Sequence, residues 1–160
     1  MKNRSSGIDE IRKLQGHSVG YLLIRTGQLY NERGIARVNQ AAGMPLLREA
    51  HTRLLPHLLE PGGIRITELA RRLDVTKQAI QQLIADMVEA NVVRYEPDPE
   101  DARARRIVLT APGLAAMKQG TEVLLDIETE LRPEFDERKL KQLRTLLARL
   151  IDVLERLPDV

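Results

Sequence analysis

Apolar residues recur at helical spacing from Ile8 to Val38: Ile8, Ile11 and Leu14, then Leu22, Leu23, Ile24, Leu29, Tyr30, Ile35 and Val38. The pattern predicts one long helix, continuous or broken, most regular between Ser18 and Gln40. Gly16, Gly20, Gly27 and Gly34 interrupt it, each costing about 1 kcal/mol relative to alanine in a helix interior. Residues 1–7 read as a frayed leader. Ala41, Ala42 and Gly43 form a stop, with Gly43 as the left-handed cap. Pro45 suits the first turn of a second helix running to about Leu59, with Leu46, Leu47, Leu54, Leu55, Leu58 and Leu59 on its buried side. Pro56 bends or ends that helix, because an interior proline removes a donor and clashes with the preceding turn. Pro61-Gly62-Gly63 is a loop.

From Ile66 the pattern changes to short elements. ITELARRL predicts a helix and Asp74-Val75 a turn, and TKQAIQQLIADMVEA predicts a longer helix over about 76–90. Thr67 and Thr76 are the expected N-caps, since a threonine hydroxyl accepts a bond from an orphan backbone N–H. The spacing matches helix-turn-helix packing, which needs a small residue between the helices (Ala70), a turn residue (Asp74), and aliphatic residues after it (Val75, Ile80 and Leu83). Asp74 stands where glycine is preferred, and aspartate tolerates the left-handed conformation better than most residues. Val75, Ile80, Leu83, Ile84, Met87 and Val88 are expected to face inward. Two alternating segments follow, Val92 to Glu96 and Arg106 to Leu109, which predict a hairpin over about 92–109 joined by the charged PDPEDARAR.

Two more helices close the chain. One opens at Ala111-Pro112-Gly113, carries Leu114, Met117, Leu124, Ile127 and Leu131, and ends at Pro133. The last, about Asp136 to Leu157, places Leu140, Leu143, Leu147, Leu150, Leu154 and Leu157 at alternating steps of three and four, the seam of a coiled coil. Leu146, Ile151 and Val153 widen the apolar surface to a second side, which calls for two partners, its own core and a second subunit. A terminal helix packed only on its own domain is the alternative.

Composition narrows the class. A chain of 160 residues with 42% hydrophobic and 30% charged residues suits one domain with a real core. Aromatic content of 2% favours helix over sheet and argues against single-strand or RNA binding by base stacking. The absence of cysteine excludes disulfides, thiolate metal sites and cysteine nucleophiles. No run has the length of a membrane span, and the polar MKNRSSGIDEIRK lacks the apolar stretch of a signal peptide, so a cytoplasmic location is expected. A net charge of +2 carries no argument for nucleic acid by itself; local basic clusters must.

Such clusters occur. The solvent face of the second short helix carries Lys77, Gln78, Gln81 and Gln82 behind Thr76. Glutamine amides can bond adenine N6 and N7 together, and lysine reaches guanine or phosphate. An ordinary polar helix face is the competing reading. The hairpin loop ends in Arg103, Arg105 and Arg106, a basic tip suited to the narrow minor groove. Its competing reading is a solvated loop whose Asp98, Glu100 and Asp101 pair with the arginines. Helix, turn, helix and basic wing in succession favour binding to double-stranded DNA.

The wing's Asp98-x-x-Asp101-x-Arg103, followed by Leu109-Thr110 and then Gly113, resembles the signature of the MarR (multiple antibiotic resistance regulator) family of bacterial transcription factors. The resemblance is strong over about 64–114 and architectural elsewhere. It implies a mainly α fold with a small β-wing, in which 8–43 and 111–160 form a helical dimerisation lobe and 45–110 the winged helix-turn-helix lobe. It also implies that Arg103 enters a minor groove, that Asp101 orients it, and that Arg105 is the second basic residue. A homodimer on a pseudo-palindromic operator, released by a small aromatic or phenolic ligand, follows from the same resemblance. Tyr21, Arg25, Tyr30 and His51 are the candidate pocket residues, with core and dimer packing as the plainer reading. Asn91 replaces the glycine frequent before the wing and can also take a positive φ.

No cofactor is expected. His51 and His57 do not share a helix face as i,i+4 metal ligands would, and no nucleophile–base pair or phosphate loop is evident, so an enzyme is not expected. The alternative function is a winged-helix protein-interaction module that never reads DNA. A ligand-binding or enzymatic dimer reusing the fold is a weaker competitor.

Overall fold

The computed structural model describes residues 2–42, 47–101 and 103–158. Helix α1 (Lys2–His17) begins well inside the expected leader, so 2–7 are helical and not frayed. Helix α2 (Val19–Ala42) restarts after Ser18, whose hydroxyl accepts the backbone N–H of Tyr21 at 3.2 Å. A hydroxyl able to cap a new first turn explains why the long apolar pattern breaks there and not at one of its glycines. Gly43 and Pro45, the expected cap and helix start, lie outside the described residues.

The second helix is shorter than its leucines suggest. Helix α3 (Glu49–Thr52) is one turn, followed by a 3₁₀ turn (Leu55–Leu59) with Pro56 near its start. Proline offers no N–H to continue an α ladder, so the chain tightens into 3₁₀ geometry and still buries Leu54 and Leu58. Asn39 of α2 ties the entry to this segment at two points: its amide donates to the Leu47 carbonyl at 2.8 Å and accepts the Leu47 N–H at 2.7 Å.

Gly62 and Gly63 both take positive φ (79° and 77°), and turn the chain into β1 (Ile64–Arg65), a strand that short periodicity could not announce. Helix α4 (Ile66–Arg72) starts one residue before the expected cap: Arg65, not Thr67, is the N-cap and supplies no side-chain bond. Helix α5 (Lys77–Glu89) starts as expected, with the Thr76 hydroxyl accepting the Ala79 N–H at 3.2 Å. Strands β2 (Val93–Pro97) and β3 (Arg105–Leu109) follow, and the antiparallel sheet has the order β1-β3-β2. Val93 pairs with Leu109 and Tyr95 with Ile107, and Ile64 of β1 takes the other edge of Ile107.

One apolar cluster joins these elements: Leu54, Leu58, Ile64, Leu69, Ala70, Ile80, Ile84, Met87, Val93 and Ile107. Val75 and Val88, expected inside, are more than one-third exposed. Val75 ends a turn and Val88 lies off the line of Ile80, Ile84 and Met87, so neither reaches that cluster.

The chain divides into two compact units, 1–123 and 124–160. Helix α6 (Ala111–Glu130) runs across the division, ending three residues before Pro133. In the second unit Asp136 caps α7 (Glu137–Leu154) by accepting the Lys139 N–H at 2.8 Å. Arg144 of α7 reaches Glu128 at 3.3 Å and Glu137 at 2.7 Å, and Ile127 and Leu140 are buried. Among the described residues no helix is long and apolar enough to cross a membrane.

Candidate nucleic-acid interface

The turn between α4 and α5 is built as the sequence predicts. Buried Ala70 leaves room for the second helix, and its carbonyl accepts the Val75 N–H at 3.1 Å. Asp74 sits at φ 51°, the left-handed conformation that reverses the chain. With Ile80, Ile84 and Met87 buried, the roughly 100° step of an α-helix sets Gln78 and Gln82 directly opposite the core. Lys77 and Gln81 lie to one flank of that face, and all four are exposed, as is Thr76.

The wing tip is shaped by its own carboxylates. Asp101 Oδ1 accepts the backbone N–H of Arg103 at 3.0 Å, so it orients the main chain at Arg103. The Ala104 N–H bonds to the Asp101 carbonyl at 2.8 Å and the Asp98 N–H to the Ala104 carbonyl at 3.1 Å, closing the loop. Arg103 and Arg105 are exposed, and neither side chain has an ion-pair partner among the described residues.

Beneath the tip lies a cluster that spacing alone did not single out. Asp98, whose side chain has no exposed surface, accepts from Arg65 Nε at 2.5 Å and Arg106 Nε at 2.7 Å on one oxygen. Its other oxygen accepts the Glu100 N–H at 2.9 Å. Hydrogen bonds from Arg65 and then Arg106 hold its carboxyl well below the ordinary aspartate range, against the opposing effect of burial. The same contacts raise both arginines. Thus two of the wing-side arginines are consumed internally, while Arg103 and Arg105 are left outward.

The wing's far end explains the LeuThr…Gly pattern. Thr110 Oγ1 donates to the Asn91 carbonyl at 2.5 Å and accepts the Gly113 N–H at 2.9 Å. A Cβ at Gly113 would run into the Val92 carbonyl, so only glycine lets α6 start this close to the end of α5. Asn91 takes φ 55°, filling the role of the glycine it replaces.

The candidate pocket residues on α2 do not share one face of the helix. Tyr21 and Arg25 stand one turn apart on α2, both exposed, whereas Tyr30 falls on the opposite side of the helix and is partly buried. His51 is buried in α3, where its Nδ1 accepts the Arg48 N–H at 3.2 Å. Burial lowers its pKa, with the Arg48 charge adding to the effect and Asp86 opposing both. An open cleft of about 260 Å³ lies instead beside β1, lined by Glu60, Glu68 and Glu100 with Arg65 and Arg106. Glu68 there bonds Arg71 and Arg72, which lower its carboxyl to about 2. No cluster of three or more metal-binding side chains occurs among the described residues.

Comparison with known proteins agrees with the geometry. A sequence model of the MarR family matches residues 42–104. An uncharacterized protein of Mycobacterium tuberculosis, Rv2011c, is 28% identical over 111 residues, covering 68% of this chain and 78% of its own. The apo crystal structure of wild-type MarR from E. coli superposes with a TM-score of 0.67 at 21% identity, over 83% of this chain and 96% of that one. The Mycobacterium tuberculosis MarR family protein Rv2887, in complex with salicylic acid, gives 0.61 at 24% identity, over 83% and 96%.

Proposed function

We propose that the chain is a DNA-binding transcriptional regulator of the MarR family that works as a homodimeric repressor released by a small aromatic acid, a reading supported by the family-model match over 42–104. One observation carries the DNA-reading part: the polar face of α5 and the two outward wing arginines stand on one compact lobe, with every other wing-side arginine already paired. Gln78, Gln81 and Gln82 would read base edges in the major groove with Lys77, and Thr76 would bond phosphate near the helix start. Arg103, held by Asp101, would enter the flanking minor groove beside Arg105.

Pairing of two copies is supported by the apolar surface that α7 leaves open: Leu143, Leu146, Ile151 and Leu154 are each 45–56% exposed. A two-fold dimer would set two copies of α5 about 34 Å apart, the repeat of successive major grooves, and so favour a pseudo-palindromic operator. The salicylic acid bound to Rv2887 supports a ligand of that class here. Release follows by linkage if the ligand binds the DNA-incompetent arrangement more tightly. Tyr21, Arg25, Tyr30 and His51 would then line a pocket together with residues of other elements or of a second copy. Members of this family act by binding and not by catalysis.

The test is a competition gel shift with the chain's own upstream region. A shifted band that resists unrelated duplex and is lost on adding salicylate supports the proposal. A chain that binds no duplex and instead retains a protein partner would be an interaction module. Resistance of the band to every aromatic acid tried would remove the ligand-release part alone.

A further inference from the structure

Asp86 lies in the later part of α5, one turn beyond Gln82 and not itself among the expected base-reading residues, at a junction between the α3 segment and α5. Its Oδ1 accepts a hydrogen bond from Gln82 Nε2 at 3.3 Å, the i,i+4 partner one turn toward the helix start. Its Oδ2 is paired with the Arg48 guanidinium, and His51 Nε2 stands 3.6 Å from the same oxygen. His51 is buried and its Nδ1 already accepts the Arg48 backbone N–H, so the neutral ring carries its proton on Nε2, facing Asp86. That Nε2 has no hydrogen-bond partner among the described residues, so its contact with Asp86 is an electrostatic approach at 3.6 Å.

We infer that Asp86 is a specificity-determining positioning residue: braced by Arg48 and His51, it fixes the orientation of the Gln82 amide that reads the operator. The inference rests on the DNA-binding reading above. A carboxylate only accepts, so the nitrogen of Gln82 must turn toward it and the amide oxygen away. A free glutamine can present its oxygen and nitrogen in either order. Held by Asp86, Gln82 presents one order, with its oxygen and remaining N–H outward. That is the acceptor-and-donor pair that matches adenine N6 and N7. Pre-setting such a group removes the ordering cost at the moment of binding and penalises a base with the reversed pattern. The brace also links the α3 segment to base reading without any movement of the helix backbone.

The experiment is a double-mutant cycle read at single base pairs. Wild type, Gln82→Ala, Asp86→Ala and the double variant are titrated against the upstream duplex and against duplexes carrying each single base-pair change. The expected result is that Asp86→Ala lowers discrimination by about 5-fold or more at the one base pair that Gln82→Ala also relaxes. The double variant should then be no worse there than Gln82→Ala. Effects that multiply at that base pair, or an Asp86→Ala loss spread evenly over all duplexes, would overturn the brace. If Asp86→Ala does not fold by circular dichroism, Arg48→Ala is read by the same criteria, since it leaves Asp86 and Gln82 in place. Wild-type protein that binds no duplex overturns the DNA reading itself; binding by wild type with a multiplicative cycle overturns the brace alone.

Discussion

Asp98 shows how much of the wing depends on one side chain. Its carboxylate has no exposed surface and takes two guanidinium N–H groups and a backbone N–H, so replacing it leaves two arginines without their acceptor. Asp98→Asn should lower the melting temperature by roughly 5 °C or more, measured by circular dichroism at neutral pH. The pH dependence has a definite sign. A carboxyl held below its ordinary range contributes stability that is full above about pH 4 and is lost as pH falls through the lowered folded value. Wild type should therefore lose stability on acidification below about pH 4, and Asp98→Asn should flatten that part of the curve. His51 acts in the same direction at higher pH. Its neutral form is favoured in the fold, so stability should decline as pH falls below about 6.5, and His51→Gln should blunt that decline. At the reading face, Gln81→Ala should cost about 1–3 kcal/mol at one base pair and little elsewhere; an equal loss on all sequences would remove Gln81 from base reading.

Single residues also mark the limit of what the sequence made legible. Thr76, Asp74 and Asn91 were readable because caps and left-handed turns depend on local chemistry. Asp98 was visible as an acid of the charged loop and as the first residue of the wing signature, but not as the acceptor for Arg65. Its partner Arg65 lies in a distant, two-residue strand, and no local spacing connects them. Asp86 was hidden for the same reason, since Arg48 and His51 reach it from another element.

At the scale of elements, periodicity succeeded where an element is long and one-sided and failed where proline or brevity intervened. Helices α5 and α7 carry their apolar positions on a clear stripe and fall close to the expected limits. The leucines from Leu46 to Leu59 promised a helix of similar length, but Pro56 converts its end into a 3₁₀ turn while keeping Leu54 and Leu58 inside. Strand β1 is too short to show alternation and exists because Ile64 and Arg65 pair with β3. The joint between wing and α6 gives this scale its prediction. Gly113→Ala forces a methyl against the Val92 carbonyl and should destabilise by about 1–3 kcal/mol in denaturant unfolding. An unchanged midpoint would mean that the start of α6 gives way without cost.

For the whole molecule, the proposed pairing of two copies turns on apolar surface that a lone chain leaves open. Leu146, Ile151 and Leu154 are each more than half exposed on α7, and Ile8, Ile11 and Leu14 are about half exposed or more on α1. Apolar stripes of this extent are unfavourable on a monomer. Ile151→Glu with Leu154→Glu should shift the protein from dimer to monomer in sedimentation and weaken operator binding together. A dimer that persists would place the interface elsewhere.

The central claim is that α5 and the wing together hold double-stranded DNA, and its most direct test is the salt dependence of affinity. Phosphate contacts release counterions, so the dissociation constant for the upstream duplex should rise steeply with salt. Fluorescence anisotropy over a salt series, with wild type and Arg103→Ala side by side, reads both parts. The expected result is a linear log–log plot for wild type and a slope smaller by about 1 per lost phosphate contact for Arg103→Ala, with the greatest weakening on duplexes with A·T-rich flanks. Binding that does not respond to salt, or an Arg103→Ala series that coincides with wild type, would contradict it.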